Sequence, residues 1–240
     1  DNMSKPTLDQ VGPWSEIKLE ILRRYAEEYT KILRKQQHVI REVGYIDGFA
    51  GWGTHISRES GEEIEGSPAI ALRYPFSSYH FIDMDGKRAA RLCELATGHD
   101  NVHVHEGDAN VLLVRDVYRQ YRYKDYRRAL CVLDPYELNP TWDVVQTAGQ
   151  MKSIEVFINF MIMDANRNIL RSDASTVTPE QAQRMSAFWG DDSWRDVAYR
   201  SQPGLFGDMT EKAPNKVVVA AYRRRLQEVA GFAHVPEPLC

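Results

Sequence analysis

The sequence predicts an α/β fold built on a mostly parallel sheet with helices on both faces, and three observations carry that expectation. Four or five short apolar runs alternate with stretches of helical periodicity, the pattern of βαβ units. The first of those runs ends in Asp47 and passes at once into a glycine-rich turn, Gly48-Phe49-Ala50-Gly51-Trp52-Gly53, with no side chain on Gly51 or Gly53 to hold a ligand away from the backbone. Later runs also end in acidic residues, and in an open α/β sheet ligands sit beyond the carboxyl ends of the strands.

The chain opens, after a short tail, on a helix expected over 14–40. Ser15 is the expected cap, and Ile17, Ile21, Leu22, Tyr25, Tyr29, Ile32 and Leu33 mostly recur at helical spacing. Its basic residues alternate with Glu16, Glu20, Glu27 and Glu28, which reads as a solvated face rather than a binding surface. The first strand is expected over 43–47. The glycine turn follows, and then a polar loop from Thr54 to Glu65, longer than a tight connection needs, is either a lid or a passive insertion. Ser67 as cap and Pro68 in the first turn restart a helix.

A second strand, 79–82, ends at Asp83-Met84-Asp85, and a helix over 86–96 follows. A third, 102–105, ends at Glu106-Gly107-Asp108. His103 and His105 share one of its faces by the two-residue period, and without a third ligand this reads as a half-exposed face rather than a metal site. A helix over 109–121 leads to a fourth strand, 129–133, ending at Asp134-Pro135-Tyr136-Glu137. A helix over 141–151 precedes a fifth strand, 154–160. Residues 171–215, with scattered prolines and the aromatics Phe188, Trp189, Trp194 and Phe206, suggest short helices inserted as a cap, and 217–229 returns to helical spacing. The expected organisation is a tail and helix over 1–42, a core over 43–170, a helical or loop insertion over 171–215, and a last helix with the start of a final strand region over 216–240.

Composition removes several function classes. With 240 residues, 43% hydrophobic and 27% charged, the chain suits one large domain or a domain with an appended helical piece. No run of about 18 apolar residues appears, and the start lacks the apolar stretch of a signal peptide, so a soluble, cytoplasmic protein without a membrane partner is expected. Asp1-Asn2 ahead of Met3 read as residues appended before a native start. Cys93, Cys131 and Cys240 are too far apart for a zinc site or a disulfide framework. A net charge of -4 gives no global attraction to nucleic acid, so such a partner would have to meet a local patch.

The chemistry concentrates at the strand ends. A cofactor with an adenosine part needs a carboxylate for the ribose hydroxyls, a polar acceptor for the adenine amino group and a turn that allows close approach. Asp47, Asp83 with Asp85, Asp108 and the glycine turn supply these, although carboxylates at such positions also cap the helices that follow. A dinucleotide fingerprint fails, because Ile56 stands where the third glycine belongs, and no Gly-Lys-Ser/Thr indicates a phosphate loop.

The turn Asp47-Gly48-Phe49-Ala50-Gly51-Trp52-Gly53 resembles the Asp-x-Phe-Ala-Gly-x-Gly form of adenosylmethionine-dependent methyltransferases that modify amino groups of nucleic acids. Asp134-Pro135-Tyr136 is similar to their Asp/Asn-Pro-Pro-Tyr element, without its second proline. In that element a carboxylate and a carbonyl accept the amine's protons, so the lone pair points at the methyl group, while the ring stacks on a flat base. The layout as a whole resembles the three-Cys-motif partner family, through Trp14 and Lys18, Tyr45 to Gly53, Gly66-Ser67-Pro68, Phe81 to Asp85, Gly107-Asp108, Leu133 to Tyr136, Phe157 to Phe160 and Asn166-Arg167. That resemblance implies a Rossmann-like methyltransferase fold, S-adenosylmethionine as cofactor and a three-Cys-motif protein as partner.

Carried over, it implies that Asp47, Phe49, Ala50, Gly51 and Gly53 meet the cofactor's methionine end, Asp83 the ribose with Asp85 as second choice, and Asp108 the adenine. Asp134, Pro135 and Tyr136 would face the acceptor, with Asn166 and Arg167 near the mouth. Glu137 stands where glycine is usual, and either narrows the acceptor pocket or adds a carboxylate to it. The resemblance also implies a closing antiparallel hairpin, of which only the approach, Ala233 to Leu239, is present. From Arg115 to Arg128 six basic and two acidic residues interleave with four tyrosines, which suits an RNA or DNA surface as well as an ordinary exposed helix and loop. Three readings stay open: methylation of a nucleic-acid or nucleotide-like amine, methylation of a small molecule or partner-modified peptide, and a catalytically silent cofactor-binding module.

Overall fold

The computed structural model describes residues 8–172, 176–204 and 207–238, with the backbone alone over 201–204 and 207–210. The chain divides into two compact units, Asp1–Leu133 with Ser153–Phe157, and Asp134–Lys152 with Ile158–Cys240.

The first unit is organised by a five-stranded sheet. Its strands are β2 (Glu42–Asp47), β5 (Ser78–Asp83), β6 (Val102–Glu106), β7 (Arg127–Leu133) and β8 (Ile154–Ile158), in the order β6-β5-β2-β7-β8. The pairings of β2 with β5, β2 with β7 and β5 with β6 are all parallel. Strand order reverses at β2, so the crevice beyond the carboxyl ends of β2 and β7 is the topological switch point. Alternation along the central strands sorts the core. Tyr45, Tyr79, Phe81, Leu130 and Val132 point to one face, where they pack against Leu22, Ala26 and Tyr29 of α1 (Pro13–Arg34) and Leu92 of α3 (Gly86–Leu95). On the other face the Tyr118 hydroxyl lies 3.4 Å from Cys131 Sγ, and the Tyr121 ring stands edge-on to His80. Gly44 makes that second face possible, because a Cβ there would lie 2.2 Å from the Tyr121 hydroxyl.

Several expectations are corrected. Helix α1 ends at Arg34 rather than 40, and starts from Gly12 with Pro13 in its first turn, not from a Ser15 cap. Gly66, not Ser67, precedes α2 (Ser67–Ala71). The alternation of charges on α1 does form surface ion pairs, Arg24 with Glu20 at 2.8 Å and Lys31 with Glu27 at 2.6 Å. The polar stretch 54–65 is not a loop. It forms an antiparallel hairpin, β3 (Thr54–Ser57) with β4 (Glu63–Glu65), and β3 also pairs in parallel with β1 (Gln10–Val11). The helix expected over 109–121 begins as α4 (Ala109–Leu112), widens into a π turn over Leu113–Val117 and tightens to 3-10 over Tyr118–Gln120. The fifth strand stops at Ile158.

The second unit packs α5 (Trp142–Met151), α6 (Ile162–Asn168), α7 (Pro179–Trp189), α8 (Trp194–Ala198) and α9 (Asn215–Glu228) around aromatic residues. Tyr222 stacks on Phe188 at 4.6 Å and meets Phe160 and Trp189, while the Arg225 guanidinium covers the Trp142 ring at 4.9 Å. The stretch expected as a helical insertion over 171–215 also holds an antiparallel pair, β9 (Tyr199–Gly204) with β10 (Gly207–Lys212). That pair is a separate two-stranded sheet. No strand forms over 233–238, where the closing hairpin was expected to begin. Phe206, Leu239 and Cys240 lie outside the described residues. No helix among the described residues is long and apolar enough to cross a membrane.

Candidate functional site

In the first unit the site is the turn between β2 and β3. Gly48 N–H donates to Val132 O and Ala50 N–H to Ile82 O, which ties the turn to the strands on either side of β2. Gly51 and Gly53 then take φ of 63° and 76°, the left-handed region where a side chain costs about 1–2 kcal/mol. Two buried carboxylates hold this shape. Asp83 Oδ2 accepts the Gly51 N–H at 2.9 Å while its Oδ1 accepts the Asp85 N–H at 2.9 Å, so one residue at the end of β5 fixes both its own exit and the neighbouring turn. Asp47, 1% exposed, accepts from the Tyr45 hydroxyl and the Phe49 N–H. Both are therefore occupied in positioning backbone.

The remaining acidic residues of this end are exposed. Asp85 caps α3, its Oδ1 accepting the N–H groups of Lys87 and Arg88, and these bonds hold its carboxyl below the usual carboxylate range. Its Oδ2 takes no hydrogen bond among the described residues. Asp108 caps α4 through the Asn110 N–H and is exposed. Between the two acidic positions at the end of β5 stands Met84, 68% exposed, a large apolar side chain at a polar mouth. Sequence reasoning passed over it; its signal was an apolar residue between two strand-end carboxylates.

The second unit holds the other predicted group. Asp134 is the residue next in the chain after the end of β7, and its Oδ1 accepts from Asn159 Nδ2 at 2.7 Å. Asn159, expected within the fifth strand, lies just past its end and donates to Met161 Sδ as well. Pro135 is buried, and Tyr136 is 54% exposed. Glu137 is bound by Arg184 Nη1 at 2.6 Å. Arg184 Nη2 lies 3.6 Å from Asp164 Oδ2, and Asp164 Oδ1 accepts from Asn168. The structure thus brings Asn159, Asp164 and Arg184 to the Asp-Pro-Tyr-Glu segment, none of which spacing could reveal. Asn166 does not join this group; it accepts from Lys212, whose ammonium burial shifts downward, and Arg167 is exposed.

His103 and His105 gain a neighbour that the sequence did not supply. His80 Nδ1 lies 3.0 Å from His105 Nε2, and its ring stacks on His103 at 5.0 Å. Among the described residues no group of three histidine, cysteine or acidic side chains is arranged to hold a metal ion. Burial, and then the two neighbouring imidazoles, push His80 down to about 3. Cys93 is exposed, while Cys131 is buried, which pushes its thiol up to about 12.

No protein-family model matches the chain, and no curated protein matches it.

Proposed function

We propose that the chain is an adenosylmethionine-dependent methyltransferase, with the glycine turn after β2 as the cofactor-binding element. The acceptor class is an amino group of a nucleic acid or nucleotide-like substrate. The observation that carries the reading is the Asp83 to Gly51 bond, which locks two left-handed glycines into a bare turn at the carboxyl ends of adjacent parallel strands. The residues present fit the cofactor. The glycine backbone admits its amino-acid end, the exposed Oδ2 of Asp85 is free to accept ribose hydroxyls, Met84 offers apolar surface to the adenine, and Asp108 is the acceptor for the adenine amino group. This division moves the ribose role to Asp85 and leaves Asp83 and Asp47 as positioning residues.

When bound, adenosylmethionine supplies an electrophilic methyl group on a sulfonium. The protein's own task is to orient the amine. Asp134 accepts one of its N–H groups, with Oδ1 fixed by Asn159 so that the carboxylate cannot rotate freely. Exposed Tyr136 offers a stacking face, and Arg184 neutralises Glu137 so that it adds no free carboxylate beside the acceptor. A three-Cys-motif partner belongs to the same proposal and rests on the sequence resemblance.

Calorimetric titration with adenosylmethionine and its demethylated product tests the reading. Asp85→Asn keeps the helix cap and removes the charge, and should weaken binding about 10-fold, while Asp83→Ala releases the turn and should abolish measurable binding. Absence of binding to the unaltered chain removes the cofactor reading.

A further inference from the structure

The amino ends of the strands carry a second feature that the reaction does not use. A cleft of about 450 Å³ is lined by Arg41, Arg119, Arg122 and Arg127, with Glu42, Gln120 and Asp125. Both acids in it are already paired, Glu42 with Arg127 at 3.0 Å and Asp125 with Arg122 at 2.6 Å. Arg41 and Arg119 form no ion pair among the described residues and are exposed. A second cleft of about 280 Å³ shares Arg41 and adds Arg34, so the basic lining continues along this edge.

The surround is aromatic. Arg41 N–H donates to Tyr126 O, joining the approach to β2 with the approach to β7. Tyr126 sits at φ 58°, a left-handed conformation unusual for an aromatic residue and sustained here by its neighbours. Of the four tyrosines in this stretch Tyr118 and Tyr121 are buried in the core, which leaves Tyr123 and Tyr126 at the surface. Tyr123 and Tyr126 are 56% and 48% exposed, and the Arg128 guanidinium lies over the Tyr123 ring at 3.9 Å.

From these residues we propose that the cleft is a binding site for single-stranded nucleic acid. Its guanidiniums contact phosphates, and Tyr123 and Tyr126 stack on bases. Unpaired guanidiniums in a cleft favour phosphodiester oxygens, and exposed rings beside them favour unpaired bases over a duplex, whose bases are already stacked. The site is distinct from the methyl-transfer end. Strand β2 runs from Glu42 in the cleft to Asp47 at the glycine turn, a separation of roughly 17 Å along the strand. The inference stands on the cleft's own residues and does not require the cofactor reading.

The test is fluorescence anisotropy of the full chain with a labelled oligouridylate of about 12 nucleotides. Contact by the two unpaired guanidiniums, Arg41 and Arg119, gives a slope of about -1.4 in log affinity against log salt, an approximately 7-fold loss between about 50 and 200 mM salt. Arg41→Gln combined with Arg119→Gln breaks no ion pair, and should remove most of that slope and reduce the salt loss to below about 2-fold. Tyr123→Ala should weaken binding about 10-fold while Tyr123→Phe retains it. Asp83→Ala, which disrupts the cofactor turn, should leave oligouridylate binding unchanged, so failure at one site is separable from failure at the other. The proposal is overturned by any of three outcomes: no binding at low salt, equal binding of a duplex, or a Tyr123→Ala variant that binds normally and is displaced by heparin as readily as by RNA.

Discussion

Gly53 shows how narrowly single residues set the turn. Its φ of 76° disfavours any side chain, and a Cβ there would lie 2.8 Å from Leu95 Cδ2. Gly53→Ala should therefore lower the melting temperature by roughly 2–6 °C, since Leu95 can yield only in part. A melting curve that superimposes on the unaltered chain's would show that the turn relaxes freely. His80 carries a second residue-scale consequence. The groups facing it are His105 at hydrogen-bond distance, His103 stacked beside it and the Tyr121 ring edge-on. Nδ1–H donating to His105 leaves the buried, unpartnered Nε2 as a bare acceptor, the cheaper of the two tautomers.

The fold holds His80 neutral down to about 3, from 6.5. Between those values the unfolded chain binds a proton that the folded chain does not. Stability from this residue is therefore complete above about pH 6.5 and is lost as pH falls, by up to about 2 kcal/mol near pH 5. Urea titrations at about pH 7.5 and about pH 5 should show that loss, and His80→Gln should flatten it. Parallel pH profiles for the two chains would contradict the assignment.

Among the elements, β2 is the most constrained. It is the switch strand, it carries the glycine turn, and at Gly44 it leaves room for the Tyr121 ring, whose hydroxyl lies 2.7 Å from Ser78 Oγ. Gly44→Ala places a methyl group inside that ring's volume, and should cost about 1–3 kcal/mol in denaturant unfolding. Gly44→Ala combined with Tyr121→Leu should recover part of the loss, because the two sites share one volume. An unchanged midpoint for Gly44→Ala would mean that the irregular helical turns over 113–120 can shift to make room. Their π and 3-10 geometry already departs from a regular helix, as expected where buried Tyr118 and Tyr121 must both reach the sheet.

For the molecule as a whole, the proposed function separates cofactor binding from orientation of the acceptor, and that separation is measurable. Asp134→Ala should leave the dissociation constant for adenosylmethionine within about 2-fold of the unaltered chain's and reduce methyl transfer by at least about 100-fold. Loss of cofactor affinity in this variant would place Asp134 in cofactor binding instead. Arg184→Gln should raise the acceptor KM more than it lowers kcat, because it frees the Glu137 carboxylate without touching a reacting atom.

The sequence by itself determined the alternation of strands and helices, the strand ends at Asp47, Asp83 and Leu133, and the glycine turn. Period-two and helical periodicities, and the conformational freedom of glycine, are properties of short segments. Only the tertiary structure decided which strand-end carboxylates face solvent. Asp83 stands ahead of Asp85 as the expected ribose partner in sequence, but Asp83 is buried holding Gly51 and Asp85 keeps an exposed oxygen. It also decided that His80 joins His103 and His105, that Arg184 meets Glu137, and that Arg41 joins Arg119, Arg122 and Arg127 in one cleft. Each of these depends on strand order and register, which bring together residues tens of positions apart and leave no trace in local spacing.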